Sequence, residues 1–262
     1  MGSVAEGHLV EGLRAVGLRA GDVALVHSSL SSFGRVEGGA QAVVRALLNV
    51  LTPQGTLVFP TFGEFFEGDP DQVWDRERSP SRMGVISETA RTWPGALRSS
   101  HPGHPFGAIG QHARAITEPE CDFGWGPDSP LATLERLAGR ILLLGVGYNV
   151  VTLFHLPEFE ARVPYRRANR YPGTVVIGGV ERWIAMPAFD KEPGLKYDFE
   201  PLGAELEAAG LVRGCEIGQS RVRLFDVQPA LALERERLEA DPLYLLSPDS
   251  RQRFVESRGR SA

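Results

Sequence analysis

Two cysteines, Cys121 and Cys215, are all that the 262 residues contain, and neither belongs to a CxxC pair. That excludes a disulfide framework and a zinc knuckle and fits a reducing compartment. No apolar run approaches the roughly 20 residues that a membrane-spanning helix needs. The opening MGSVAEGHLVEGLRAVGL also lacks a basic region followed by an apolar one. Gly2 follows Met1, but Glu6 stands where a myristoylation signal needs Ser or Thr. The expectation is a soluble, cytoplasmic chain with no membrane partner. Basic excess is missing too: 28 Lys and Arg face 33 Asp and Glu, a net charge of -5. A phosphate-neutralising nucleic-acid face is therefore not expected, and a cationic small molecule is the better-matched partner. Internal repeats and clean linkers are absent as well. The 262 residues read as a single domain, within which two lobes of about 1–150 and 151–262 are an allowed division.

What is present is enough apolar residue, 42%, to bury one large core or two coupled lobes. Leu9, Val10, Leu13 and Val16 form a helical stripe that Gly17 ends, and Val23 to Val26 is a buried strand. Gly38 and Gly39 open a second helix to Leu51, and Thr56 to Phe59 is another short strand, so the spacing predicts a parallel βαβ unit. A further strand is expected at Arg140 to Leu144, helices at Val85 to Thr92, Thr152 to Glu160 and Leu202 to Ala209, and β-like segments at Thr174 to Ile177 and Arg182 to Ala185. Pro60 to Ser81, Arg98 to Gly110 and Asp122 to Pro130 read as loops rich in Gly and Pro. The pattern is α/β with an additional α+β region.

Several segments carry residue types suited to chemistry. Ser28, Ser29, Leu30 and Ser31 leave the end of a buried strand just before a helix start, where α/β proteins bind ligands and free N–H groups favour phosphate. A polar turn that satisfies its own backbone is the structural alternative. Ser81, Arg82, Met83, Gly84 and Val85 enter the next helix: Ser81 is placed to cap it, Arg82 to reach a phosphate, and Gly84 to permit close approach. A helix-entry turn with a surface arginine would look the same. His101 and His104 lack a third metal ligand nearby, and Phe106 and Gly107 are suited to bound a narrow passage for a slim arm. No metal is expected.

The strongest catalytic candidate is the run from Gly145 to Glu158. Residues three apart share a helical face, so Glu158 can reach the His155 ring, fix its tautomer and raise its basicity. A dinucleotide fingerprint fails because Val150 stands at the third glycine, and a di-iron reading lacks a second copy of the HxxE. A histidine satisfied inside a loop is the remaining alternative. Acidic Glu64, Glu67, Asp69 and Asp190 keep company with Phe62, Phe65, Phe66, Trp74 and Tyr148, a mixture that suits a polycationic sugar.

Taken in order, Leu25 to Leu30, Pro60-Thr61, Pro80 to Gly84, Arg98-Ser99 with His101-Pro102 and Gly110, Ser129-Pro130-Leu131, Leu142 to Gly147, His155-Leu156 with Glu158, and Leu224-Phe225 resemble the aminoglycoside 3-N-acetyltransferases. These are of the antibiotic N-acetyltransferase type. The resemblance runs from about Gly17 to Ser247 and implies a three-layer α/β/α-like sheet core. It implies acetyl-coenzyme A (acetyl-CoA) as co-substrate and transfer to the 3-amino group of a 2-deoxystreptamine ring, hence antibiotic resistance, by a monomer or homodimer. It makes His155 the general base supported by Glu158, and puts Ser28 to Ser31, Arg82 to Val85, Phe106, Gly107 and Ser129 around coenzyme A. Glu64, Glu67, Tyr148, Asn149 and Asp190 fall to the aminoglycoside. The chain departs from the family at Val151-Thr152 and Pro157, at Pro105 where a serine is usual, and at Gly218-Gln219-Ser220. These departures bear on the acceptor more than the donor, so another amine acceptor, or a binding protein without turnover, stays open.

Overall fold

The computed structural model describes residues 2–63 and 71–259. Its first strand, β1 (Val23–Ser28), pairs in parallel with β2 (Thr56–Pro60) through the helix α2 (Gly39–Leu51), as the sequence predicts. β6 (Arg140–Leu144) lies parallel on the other side of β1. Antiparallel strands extend both edges: β5 (Phe106–Gly110) and β4 (Leu97–Arg98) beyond β2, β10 (Ser220–Asp226) and β9 (Val212–Ile217) beyond β6. The result is a mixed seven-stranded sheet, drawing strands from both halves of the sequence.

Strand side chains alternate between faces, and that alternation divides the core in two. Ala24, Val26, Leu57, Phe59, Leu142, Leu144, Val222 and Leu224 pack under α1 (Glu6–Ala15), α2 and α3 (Val85–Arg91). Val23, Leu25, Val58, Ile141, Leu143 and Phe225 pack under α4 (Ala113–Thr117), α5 (Pro130–Arg136), α6 (His155–Glu160), α7 (Glu200–Ala208), α8 (Val227–Ala240) and α9 (Pro248–Gly259). Helices on both faces of one sheet make the three layers. In α2 the buried Val43, Ala46, Leu47 and Val50 recur at helical spacing, and each large apolar side chain contributes about 1.5–3 kcal/mol by leaving water.

A smaller sheet holds β3 (Val73–Asp75), β7 (Arg166–Ile177) and β8 (Val180–Lys191). Gly178 and Gly179, both at positive φ, close the β7–β8 hairpin with a two-residue turn. The hairpin is longer than the β-like segments expected from sequence, and its open end pairs Arg166 with Lys191. The loop expected at Arg98 to Gly110 instead contains β5, which pairs with all of β2.

On α8, Glu234 is fully buried and neither carboxylate oxygen has a partner among the described residues. Burial pushes its proton affinity well above the usual carboxylate range, with Glu158 adding to the effect. A raised folded-state value means that stability is lost as pH rises above the unfolded value. Glu234→Met is therefore expected to stabilise the fold by about 1–3 kcal/mol at neutral pH, and by less in acid. Urea unfolding at both pH values checks this. Equal stability of variant and parent at neutral pH would mean that the carboxyl is satisfied in solution.

Candidate active site

Two cavities lie on segments that leave the C-terminal ends of the parallel strands β1 and β6, the usual ligand position in α/β sheets. The first, about 470 Å³, is lined by Ser28, Ser29, Leu30, Ser31, Gly34, Val36, Gly39, Gly84, Val85 and Ile86. The sequence-predicted serine loop and the start of α3 thus meet here. Val85 is exposed and offers apolar surface, and α2 begins at the rim with Gly38 as an N-cap that supplies no side-chain bond. Its first-turn N–H groups and helix dipole are suited to an anion.

Other expected contacts lie outside this lining. Phe106 is fully buried in β5 with its ring against Phe62, and Gly107 lies where a Cβ would overlap the Phe59 ring, so neither lines this cavity. Ser129 is buried and caps α5 by accepting from Ala132 N–H. Ser81 does not cap α3; Gly84 holds that position, while the Ser81 hydroxyl accepts from Met83 N–H. Arg82 and Met83 are exposed just before Gly84 but outside the lining.

The second cavity, about 260 Å³, is lined by His104, Trp125, His155, Arg166, Tyr171, Phe189, Asp190, Lys191 and Tyr197. After β6 the chain turns at Gly145, passes two short 3-10 turns and enters α6 at His155, so Glu158 follows one helical turn later. His155 Nδ1 is 2.6 Å from Glu158 Oε2. Glu158 is fully buried, and the Tyr165 hydroxyl donates to its other oxygen at 2.6 Å. Arg166 Nη2 lies 3.0 Å from Glu158 Oε2. Burial alone would raise the Glu158 proton affinity, but the Arg166 charge and the His155 and Tyr165 hydrogen bonds outweigh it, and the carboxyl is held below its ordinary range.

An ionised carboxylate can only accept, so the short contact requires the His155 proton on Nδ1. Nε2 then carries the lone pair, and the His155 side chain lines the cavity. Burial lowers the His155 proton affinity more than Glu158 raises it, with Arg166 lowering it further. The imidazole is consequently neutral at neutral pH. Trp125, Tyr197 and Phe199 surround it, with ring centroids at 4.9, 5.1 and 5.5 Å. Lys191 Nζ lies 4.4 Å from the Tyr197 centroid and donates to Leu195 O; burial, then Arg166, lowers its proton affinity. Asp190 accepts from the Tyr171 hydroxyl at 2.6 Å and from Asn169 at 3.1 Å.

His155, Glu158 and Asp190 are therefore brought together. Tyr148 is not with them: it is buried, its hydroxyl donates to Glu207, and its ring covers Gly203. Asn149 accepts from Phe199 N–H at 2.7 Å and so fixes that ring instead of lining the cavity. Glu64, Glu67 and Asp69 lie outside the described residues. Sequence reasoning missed Arg166, Lys191, Tyr197 and Trp125; the only available signal was the density of aromatic residues from Tyr165 to Phe199 among paired charges. Among the described residues, no group of three or more His, Cys, Asp or Glu is arranged to hold a metal ion, and no helix is long and apolar enough to cross a membrane.

The profile of the family described as aminoglycoside 3-N-acetyltransferase matches residues 25–239. Aminoglycoside N(3)-acetyltransferase IV of Salmonella sp is 38% identical, over 92% of this chain and 89% of its own. The solved structure of AAC-IIIb, binary with CoASH, superposes with a TM-score of 0.84 at 29% identity, covering 91% of this chain and 97% of that one. AAC-VIa bound to sisomicin gives 0.83 at 28% identity, covering 91% and 98%. On the strength of a profile that takes in the serine loop, the dyad and most of the sheet, this chain belongs to the aminoglycoside 3-N-acetyltransferase family.

Proposed function

We propose that this enzyme transfers the acetyl group of acetyl-CoA to the 3-amino group of a 2-deoxystreptamine aminoglycoside, with His155 as general base. The observation that carries the reading is the imidazole held through Nδ1 by the buried Glu158, lining an aromatic, partly acidic cavity. Bound acetyl-CoA supplies a thioester whose acetyl carbon accepts the amine as the carbon–sulfur bond breaks. His155 Nε2 takes a proton from the acceptor nitrogen, and the Glu158 carboxylate stabilises the resulting imidazolium. The Ser28 to Ser31 loop, Gly84, Val85 and the open α2 start would hold coenzyme A, a fit supported by the relative solved with CoASH. Asp190 would face an acceptor ammonium, in keeping with the relative bound to sisomicin.

Acetylation removes one positive charge from a polycation and weakens its attraction to polyanions, which gives the reaction its resistance role. Cys121 and Cys215 are both free thiols, in keeping with a cytoplasmic site of action. The reading is of a monomer or homodimer acting on a small molecule, with neither nucleic acid nor membrane as partner.

Thiol release from acetyl-CoA, followed with a thiol-reactive dye across gentamicin, kanamycin, neomycin and apramycin, tests it. Release that depends on the antibiotic, with product acetylated at N3 by NMR, is expected. Binding of coenzyme A without release for any of the four would instead point to a different amine acceptor.

A further inference from the structure

Arg166 opens β7, yet little of it reaches solvent: its side chain is 5% exposed. Nη2 sits 3.0 Å from Glu158 Oε2 and 3.0 Å from His155 Nδ1. Since Nδ1 carries a proton, the second approach is a contact between two donors, both directed at the same carboxylate oxygen. Nη1 donates to Phe189 O on β8, and the guanidinium lies over the Phe189 and Tyr197 rings at 5.7 and 5.5 Å. An arginine that only neutralised a buried carboxylate would need none of the last three contacts. Here one guanidinium joins the dyad on α6 to the strand carrying Asp190 and Lys191.

We propose that Arg166 is a positioning residue for acetyl transfer: it holds Glu158 as a carboxylate, thereby keeps the His155 proton on Nδ1, and ties the imidazole to the acceptor-lining end of β8. This rests on the reading of His155 as the base. The other groups facing the dyad are the Tyr165 hydroxyl, Lys191 and Asp190 from β8, His104 from the loop before β5, Tyr197 from the segment before α7, and Glu234 from α8. Lys191 and His104 act on His155 in the same direction as Arg166, but neither donates to Glu158.

Removing the guanidinium therefore releases both members of the dyad toward protonation. Arg166→Gln is expected to lower kcat by about 10- to 100-fold with the KM for acetyl-CoA unchanged. It should also move the acid limb of kcat/KM upward by on the order of one pH unit. Arg166→Lys, which keeps the charge and loses the planar fork, should leave the acid limb near its parent position and recover part of kcat. The ¹⁵N shifts of the His155 imidazole, recorded without acceptor, supply a readout independent of turnover. The parent and Arg166→Lys should show a single Nδ1–H tautomer, and Arg166→Gln a mixture.

Should the glutamine variant fail to fold, the lysine variant's tautomer and pH limb decide alone. An unmoved acid limb and unchanged tautomer in Arg166→Gln, or a lysine variant that shifts as far as the glutamine one, would overturn the proposal and leave Arg166 a structural tie. Absence of turnover with every aminoglycoside would count against the acceptor assignment, while the tautomer measurement would still stand or fall separately.

Discussion

Replacing His155 with alanine is expected to lower kcat by about 10²- to 10⁴-fold, the usual worth of a positioned general base, while the protein stays folded and binds coenzyme A. The structure supports both halves. The proton acceptor goes with the ring, and among the described residues no second base shares its carboxylate; His104, the other histidine of the cavity lining, is held well below the ordinary histidine range by burial. Folding survives because Glu158 keeps its bonds from Tyr165 and Arg166, so no buried carboxylate is left unpaired. Burial lowers the proton affinity of His155 below the free value of about 6.5. The base is active only when unprotonated, so activity in the parent should persist below the ordinary histidine range and fall as pH drops through the lowered value. Steady-state kinetics of parent and variant across pH check this. Near-parental turnover in the variant would remove His155 from the mechanism, and an acid limb above the free histidine value would contradict the electrostatics.

Gly145→Ala is expected to be the most damaging single-methyl change near the sites. Gly145 ends β6 at φ +70, a conformation that favours glycine. An added Cβ would overlap Ser32 Oγ and Cβ and lie 2.6 Å from Ser220 Oγ. Ser32 cannot simply rotate away, because its hydroxyl donates to Ser29 O at 2.7 Å and meets the Ser220 hydroxyl at 2.9 Å. The methyl must break those bonds and displace the Ser28 to Ser31 loop that lines the first cavity. Backbone strain and overpacking together should cost about 2–4 kcal/mol, lowering Tm by roughly 5–15 °C. The KM for acetyl-CoA should rise as well. Adding Ser32→Gly should relieve the overlap but not the backbone strain, recovering part of the Tm. A variant with parental Tm and KM would show that the loop adapts freely.

The parts of the fold that can be read from sequence are those where one physical signal dominates. β1, β2 and β6 are buried on both faces, so their residues run apolar without interruption between turn residues. β5, with the sequence FGAIG, is equally buried but built partly from glycine, and glycine reads as loop. The N-terminal half of β7 is Arg166 to Arg170, charged and mostly exposed, so nothing but its partner strand marks it as β. β9, β10 and α8 passed unread; Val222 and Leu224 do alternate, but arginines separate them, and Pro229 interrupts the helical pattern near the α8 start.

In the site the same contrast holds. His155 and Glu158 are legible because both lie on one helical turn. Lys191 and Tyr197 reach the dyad only after the hairpin's return, which no local spacing encodes, and Arg166 only where the chain turns from α6 into β7. Ser129 and Phe106 stand out in the sequence, but a cap and a ligand contact draw on the same side chains, so the cap at Ser129 and the buried ring at Phe106 are not legible there.

The place of β6 in the large sheet has a consequence for the order in which the protein is made. On one side its partner, β1, is synthesised long before it; on the other, β10 comes long after, once α6, the hairpin and α7 have been added. During vectorial synthesis the N-terminal strands can zip together early, yet one edge of β6 stays open until Ser220–Asp226 has left the ribosome. An open strand edge is a template for pairing with another chain. The nascent enzyme thus carries its His155–Glu158 pair for a long interval on an unfinished sheet, and stalling in that interval is where misassembly would concentrate.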